Sequence, residues 1–166
     1  MKACLDVDYR SDHAIAACLL FANWEDAAPY EELTTRVNQV AAYEPGFFYR
    51  RELPCLLAIL QYVQSPLECI VIDGYVWLDE AQKAGLGAHL FSALEGKTPV
   101  IGVAKTHFLS APASEVKRGS AERPLYVSAA GVTSEAAAAA VARMHGSFRI
   151  PTLLKRVDQL CRQTVE

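Results

Sequence analysis

The sequence predicts a single α/β domain, spanning residues 1–166, in which helices flank a mixed sheet. A chain of 166 residues is long enough to bury one sizeable core. Its hydrophobic fraction of 52% and charged fraction of 21% are those of a globular protein, not of a disordered chain. Short apolar runs alternate with segments whose apolar residues recur at helical spacing. The resulting order is three strands, a helix, a strand, a helix, two strands and two helices. This order fits an antiparallel meander followed by parallel strands.

The first three strands are expected to form the antiparallel meander. Residues Lys2–Tyr9 (KACLDVDY) alternate in side-chain character with the period of two that is typical of a strand. After a turn-like RSDH, residues 14–21 (AIAACLLF) are apolar enough for a second strand. A polar stretch follows, and residues 36–43 (RVNQVAAY) are the candidate third strand.

Helices and buried strands alternate in the middle of the chain. Pro54 suits the first turn of a helix, and leucines follow it at helical spacing. Residues 68–74 (ECIVIDG) form a short apolar run that ends in Asp-Gly, as a fully buried strand often does. We expect a helix over residues 81–94 and another buried strand within residues 98–105 (TPVIGVAK).

The last third of the chain predicts a hairpin, a strand and two helices. Residues 110–123 contain Ser, Pro and Gly and can carry a small hairpin before the strand PLYVSA at residues 124–129. Ser134 opens an alanine-rich helix that Gly146 closes. Pro151 begins the final helix. The alanine run indicates close helix packing.

Charge gives the whole chain no bias toward nucleic acid or anionic membranes, because the formal net charge is only −3. The charges are unevenly placed, however. The first 98 residues contain 14 acidic and 7 basic side chains, and the remainder contains 5 acidic and 9 basic ones. One region is therefore suited to cations and another to phosphates, with chance segregation as the alternative.

The five cysteines indicate a reducing compartment. They show no CxxC spacing, and four lie inside apolar runs, as buried thiols usually do. No signal peptide precedes the first predicted strand, and no apolar run reaches the length of about 18 residues that a membrane helix requires. We therefore expect a cytoplasmic protein without a membrane partner.

Three carboxylates occupy unusual positions for a predicted core. Asp6 lies inside the first strand, and Asp73 ends a buried strand, where open α/β sheets gather ligands. Glu52 shares the apolar stripe of the first helix. A carboxylate that faces a core is unfavourable unless it is paired or bound to a cation, and converging carboxylates are hard ligands for Mg²⁺ or Mn²⁺. The alternative is that Asp6 and Glu52 lie at a rim and Asp73 only forms a turn.

Seven blocks of sequence resemble the endonuclease V family of ribonuclease H-like, metal-dependent nucleases. They are DVDY, YEPGFFYRRELPCLL, VIDG, GLGAHL, TPVIGVAK, PLYVSA and GSFRIPTLLKRVDQL. They cover most of the chain in family order. The resemblance implies a ribonuclease H-like fold, with Asp6, Glu52 and Asp73 as catalytic ligands of Mg²⁺ or Mn²⁺ and Lys105 as the catalytic lysine.

The same resemblance implies a substrate and the residues that contact it. The family recognises deaminated purines, chiefly inosine, in DNA or RNA and cuts the strand on the 3′ side of the lesion. The matching wedge residues are Tyr43, Pro45 and Gly46, with Gly74 on the other wall of the base pocket. An aromatic ring replaces lost stacking, proline stiffens the wedge, and glycine lets the backbone approach a base.

The chain also departs from the family pattern. The histidines that follow two of the motifs are absent, so Asp8 or Asp79 is a candidate replacement ligand, and His107 flanks the proposed site. Glu44 places an acid in the wedge. These departures leave two alternatives open. One is a catalytically weakened homologue that binds nucleic acid or a protein partner without cleavage, and the other is a nuclease that acts on a different lesion.

Overall fold

A computed structural model describes residues 1–164 as one seven-stranded mixed sheet with two helices packed against each face. The strands lie in the order β3-β2-β1-β4-β5-β7-β6. The elements are β1 (Lys2–Tyr9), β2 (His13–Phe21), β3 (Glu31–Asn38), α1 (Tyr49–Leu60), β4 (Cys69–Asp73), α2 (Leu86–Ala93), β5 (Val100–Ala104), β6 (Ser114–Val116), β7 (Leu125–Ala130), α3 (Ser134–Arg143) and α4 (Thr152–Gln163). The α/β class with a mixed, helix-flanked sheet is confirmed.

The antiparallel meander forms as expected, but its third strand is displaced. β2 pairs with both β1 and β3, and all of its residues are buried. β3 begins at Glu31 and ends at Asn38, so the prediction of residues 36–43 was wrong at both ends. β3 is an edge strand whose outer face is exposed, and an apolar run is therefore a poor guide to it. Gln39 then adopts a φ of 59°, which ends the strand.

Three parallel strands form the centre of the sheet. β4 pairs in parallel with β1 on one side and with β5 on the other. β7 returns antiparallel to β5, and β6 pairs with β7 at the edge of the sheet. The hairpin predicted within residues 110–123 is therefore wrong, because that segment contributes the single strand β6 and its partner is β7. The carboxyl ends of β1, β4 and β5 consequently lie side by side. Ligands gather at such an edge in open α/β sheets.

Two helices differ from the prediction in where they begin. α1 begins at Tyr49, five residues before Pro54, because a turn at residues 44–47 winds the chain before the proline. Pro54 therefore lies inside the helix, where it removes one backbone hydrogen bond. α2 begins at Leu86 instead of residue 81. The chain before it folds back on itself, since the N–H group of Gly85 donates to the carbonyl of Val76 at 2.9 Å.

Each face of the sheet carries its own hydrophobic cluster. α1 and α2 cover one face through Leu56, Ile59 and Leu90, while α3 and α4 cover the other through Val141 and Leu153. All five cysteines are buried free thiols. No helix within residues 1–164 combines the length and apolar character that crossing a bilayer requires.

A buried guanidinium holds the connection between α3 and α4. Arg118 is only 5% exposed and donates hydrogen bonds to five backbone carbonyls, those of Met144, His145, Gly146, Phe148 and Arg149. The neighbouring Gly119 has a φ of 59°, and a Cβ there would lie 1.9 Å from the carbonyl oxygen of Ser147. This packing fixes the backbone of residues 144–149 against the segment that precedes β7.

We expect Arg118→Met to lower the free energy of unfolding by about 2 to 4 kcal/mol, because several buried carbonyls lose their donor. Urea unfolding followed by circular dichroism measures the change. Arg123→Met is the matched control, since Arg123 is exposed. Equal stability of the two variants would contradict the role given to Arg118.

Candidate active site

Asp6, Glu52 and Asp73 line one cleft at the carboxyl edge of the central strands. In the parallel pair of β1 and β4, Leu5 lies opposite Ile72, so Asp6 and Asp73 are the next residues of adjacent strands. α1 packs across β1 and β2 and presents Glu52 to the same place. The cleft has a volume of about 420 Å³, and Lys105 lies on its border, just beyond β5. The fold therefore brings together all four residues predicted to be catalytic.

Glu52 is the most buried of these carboxylates, with 6% of its surface exposed. Desolvation, reinforced by repulsion from Asp6 and Asp73, raises its pKa to about 8, although Arg51 acts in the opposite direction. Removal of such a group from water is costly, and it persists in proteins where a ligand or function requires it. Its position on the inner face of α1 confirms that it shares the helix's apolar stripe.

Asp6 and Lys105 are also perturbed by the shared cleft. Desolvation raises the pKa of Asp6 to about 6, and the nearby Asp73 adds to the effect. The ammonium group of Lys105 lies 3.1 Å from Oδ2 of Asp73. Burial is the largest single influence on the Lys105 pKa and lowers it, but Asp73 and other acids together hold the pKa above its usual value. Both partners of the ion pair are nearly half exposed, so each remains accessible from the cleft.

The chemistry of the cleft suits a hard divalent cation. Three carboxylates offer oxygen ligands of the kind that Mg²⁺ and Mn²⁺ prefer, and their mutual repulsion is what a cation would relieve. As the side chains stand, no three His, Cys, Asp or Glu residues within residues 1–164 form a group that could hold a metal ion. The chemistry of the donor set nevertheless fits a hard divalent cation.

Asp158 is a fourth acid at the site that the sequence reasoning missed. It lies on α4, lines the same cleft, and helps to raise the pKa of both Asp6 and Lys105. A signal was present, because Asp158 follows Leu154 by one helical turn and adjoins Val157, so it borders an apolar stripe as Glu52 does. Only the packing of α4 against β1 shows which carboxylates it approaches.

A second cavity, of about 240 Å³, adjoins the carboxylates. Gly46 and Gly74 line it together with Tyr49 and Asp73. Gly46 has a φ of 83° and Gly74 a φ of 107°, and no heavy atom lies within 4 Å of where a Cβ would be at either position. The two glycines therefore present open backbone to this space. We call it the glycine-walled cavity.

The aromatic segment before α1 is exposed beside this cavity. Tyr43 is 60% exposed, and Phe47 and Phe48 are also solvent-accessible. Tyr43 and Pro45 do not line the glycine-walled cavity, whereas Phe48 does. The structure brings the two predicted glycines to one site and leaves Tyr43 and Pro45 on the exposed loop outside it.

The acid in this segment has a partner. Oε2 of Glu44 lies 3.3 Å from Nη1 of Arg50, and the Arg50 guanidinium also stacks over the ring of Phe47 at 4.1 Å. The pair leaves this part of the loop nearly neutral. Sequence reasoning treated Glu44 as an isolated negative charge, since the two residues are six positions apart and no regular element joins them.

The three other polar candidates lie outside the cleft. Asp8 pairs with Arg10 at 3.2 Å, and Oδ1 of Asp79 accepts a hydrogen bond from the N–H group of Lys83 in a turn. His107 stacks on Tyr126, with 5.0 Å between ring centroids. None of the three lines the carboxylate cleft. Neither Asp8 nor Asp79 is therefore positioned as a ligand beside Asp6, Glu52 and Asp73.

Tyr75, in the turn after Asp73, connects the glycine-walled cavity to the segment that follows Lys105. Its hydroxyl donates to the carbonyl of Thr106 at 2.7 Å and accepts a hydrogen bond from the N–H group of Phe108 at 3.0 Å. The ring also lines the glycine-walled cavity. Tyr75 thus fixes the chain just after Lys105 relative to the end of β4.

Comparison of sequences identifies the relatives of this chain. The sequence model of the family described as Endonuclease V matches residues 2–144. An endonuclease V of Streptomyces avermitilis is 32% identical over 188 aligned positions, covering 98% of this chain and 79% of the relative. An endonuclease V of Streptomyces coelicolor is 31% identical, with 95% and 76% covered.

Solved structures show the same fold. The crystal structure of endonuclease V from Streptomyces avermitilis matches with a TM-score of 0.77 and 30% identity, covering 97% of this chain and 79% of that one. Endonuclease V of Ciona intestinalis, in complex with a 24mer DNA containing an inosine followed by a ribo-adenosine, matches with a TM-score of 0.84. It is 20% identical, with 98% and 84% of the two chains covered, so this likeness concerns the fold.

The buried Glu52 carboxylate predicts an unusual gain in stability on its removal. Its folded pKa of about 8 exceeds the ordinary value of 4.5, so stability falls as the pH rises from about 4.5 to 8. In the absence of metal, we expect Glu52→Gln to raise the free energy of unfolding by about 1 to 3 kcal/mol at pH 8 and to make little difference near pH 4. Urea unfolding at both pH values measures this.

Glu68→Gln is the control, because interactions with Lys2 and the N-terminal amine lower the pKa of Glu68 and its removal should bring no gain. If Glu52→Gln is less stable than the wild type at pH 8, the electrostatic description of the cleft is wrong.

Proposed function

Since this chain belongs to the endonuclease V family, we propose that it is a divalent-metal-dependent endonuclease that cuts nucleic acid on the 3′ side of a deaminated purine, chiefly inosine. The observation that carries the proposal is the meeting of Asp6, Glu52 and Asp73 beside a glycine-walled cavity. The carboxylates would place a phosphodiester next to a base that has left its stack. In this proposal the glycine-walled cavity selects the substrate, and the adjoining carboxylate cleft carries out the cleavage.

Asp6, Glu52 and Asp73 would hold Mg²⁺ or Mn²⁺. A bound divalent cation activates water and stabilises the charge that develops on a phosphodiester during hydrolysis. The raised pKa values of Glu52 and Asp6 support this assignment, because both groups resist ionisation until a positive charge compensates them. Asp158 would add a fourth carboxylate from α4.

Lys105 would act on the phosphate side of the reaction. Its ammonium is held at the cleft border by Asp73 and is 46% exposed, so it can meet a phosphate oxygen without leaving its place. The acids around it keep it protonated through the neutral range, since they raise its pKa. A fixed positive charge at this position stabilises negative charge in the transition state and costs no reorganisation.

The glycine-walled cavity would receive the modified base. A base that leaves its helix loses stacking, and the exposed ring of Tyr43 can replace that contact while Pro45 limits the freedom of the loop. Gly46 and Gly74 offer backbone to a base edge. The inosine-containing DNA bound by the Ciona intestinalis relative supports inosine as the lesion, and either DNA or RNA is the carrier strand.

We also propose that the protein acts in the cytoplasm, in repair of deaminated nucleic acid. Its five buried free thiols support a reducing compartment.

A catalytically weakened homologue that binds nucleic acid without cleavage is the second candidate. Two observations favour it. Within residues 1–164 the acids do not stand as a metal-holding group of three, and neither Asp8 nor Asp79 lines the carboxylate cleft. The cleavage experiment separates the two candidates.

We expect the purified protein to cut an inosine-containing single strand at one phosphodiester 3′ to the inosine when Mg²⁺ or Mn²⁺ is present, and not in EDTA. Asp73→Asn should lower the rate at least about 100-fold, because it removes a charged ligand at the centre of the cleft. Asp79→Asn should cut like the wild type. Denaturing gel electrophoresis of an end-labelled strand measures all three proteins.

Cutting that survives Asp73→Asn would mean that the carboxylates are wrongly assigned. Binding of the inosine strand without turnover under either metal would favour the second candidate.

The ion pair of the wedge loop makes a separate prediction about affinity. Glu44→Gln should tighten binding of the inosine strand about two- to fivefold, because it removes an acid from the interface and frees Arg50 for a phosphate. Fluorescence anisotropy at two salt concentrations measures the affinity, and the salt dependence should steepen. Glu80→Gln, also exposed, is the control; an equal effect of both variants would point to general charge alone.

A further inference from the structure

A groove of about 490 Å³ adjoins the carboxylate cleft. Ser120 comes from the segment before β7, Phe148 from the α3–α4 connection, and Lys155 from α4. Lys105 and Asp158 line both this groove and the carboxylate cleft, so the two spaces are neighbours. We call it the α4 groove. It shares no lining residue with the glycine-walled cavity.

Phe148 is the most unusual side chain of the α4 groove. It is 77% exposed, yet its backbone is fixed, because its carbonyl accepts a hydrogen bond from the buried Arg118 at 2.8 Å. A single exposed aromatic is ordinary on a protein surface. Here the exposed ring stands on an immobilised backbone, at the wall of a groove beside the carboxylates. It therefore offers a preorganised flat surface suited to stacking.

Lys155 supplies charge beside that ring. Within residues 1–164 its ammonium forms no hydrogen bond or ion pair, and its side chain is exposed. Arg149, which also lines the groove, is engaged with the backbone, and the next cation along α4, Arg156, is bound to Glu32 by two contacts of 2.7 Å. Among the basic side chains that α4 and the α3–α4 connection contribute to the groove, Lys155 is therefore the one without a partner in residues 1–164, and it joins Lys105 as a cation available for an external anion.

The groove continues beyond Phe148. Phe148 and Lys155 also line a neighbouring cavity of about 510 Å³ that reaches Pro29 and Thr152. A series of neighbouring spaces thus extends from the glycine-walled cavity, past the carboxylates, to Phe148 and α4. These four adjoining spaces are lined by aromatic and charged side chains, the two kinds of group with which proteins bind the bases and phosphates of a single strand.

We propose that the α4 groove binds the nucleotides that follow the cut phosphodiester on its 3′ side, with a base stacked on Phe148 and a phosphate beside Lys155. The direction rests on the proposed function. A lesion base in the glycine-walled cavity lies 5′ to the cut, so the strand that leaves the carboxylates at the other end is the 3′ segment.

The experiment uses two series of inosine-containing single-stranded DNA. One series shortens the segment 3′ to the cut from about ten nucleotides to one, and the other shortens the 5′ segment equally. Affinity is measured by anisotropy in EDTA, and kcat/KM is measured with Mg²⁺. Phe148→Ala should weaken both by about 5- to 30-fold on a long 3′ segment and less than about twofold when one nucleotide remains. Shortening the 5′ segment should affect the wild type and the variant equally.

Three further variants make the result specific. Phe148→Tyr keeps an aromatic face and should restore both values to within about twofold of the wild type. Lys155→Gln should reduce the magnitude of the salt slope by about one on long 3′ segments. Tyr62→Ala removes another exposed aromatic, at the end of α1, and should change nothing.

Two outcomes would contradict the proposed role of the α4 groove. One is an equal effect of Phe148→Ala and Tyr62→Ala, and the other is a Phe148→Ala loss that does not depend on the length of the 3′ segment. The affinity measurement in EDTA does not depend on turnover. If no strand is cut but the 3′-dependent affinity loss appears, the proposed nuclease function fails and the groove stands.

Discussion

The parallel pairing of β1 with β4 is the constraint on which the site depends. This register makes Asp6 and Asp73 neighbours at the end of two central strands, and α1 adds the buried Glu52 above them. Burial, reinforced by repulsion from neighbouring acids, raises the pKa of both Glu52 and Asp6, and the rise is larger for Glu52. The hydrophobic clusters on both faces of the sheet stabilise the fold enough to keep this unfavourable arrangement.

Side chains that bind backbone carbonyls hold the segments around the acids. Arg149 donates to the carbonyls of Lys105, Arg123 and Pro124, and thereby ties the end of β5 to the entry of β7. Tyr75 secures the chain just beyond Lys105, and Arg118 secures the connection that carries Arg149. Most of the site's charged groups thus stand on regular elements or on loops with fixed backbones. Such preorganisation is what electrostatic catalysis requires.

Strong periodicity and burial made the central elements predictable. β1, β4 and β5 were located within a residue or two, and Glu52 was placed on the inner face of its helix. The displaced elements lacked such a pattern. β3 is an edge strand with an exposed face, so the more apolar residues that follow it resembled a strand better. The start of α2 is set by hydrogen bonds within residues 75–85, where the chain folds back on itself.

Local sequence patterns were enough to predict the sheet class, the family resemblance and the elements that carry Asp6, Glu52, Asp73 and Lys105. Each of these rests on a local pattern that the chain carries within a few residues. Tertiary structure alone decided that Asp158 joins the acids, that Glu44 is neutralised by Arg50, and that Phe148 walls a groove. These contacts join residues that are far apart in the sequence, and they depend on how α4 and the loops pack. That packing follows from the burial of apolar side chains in both hydrophobic clusters, and no single sequence motif encodes it.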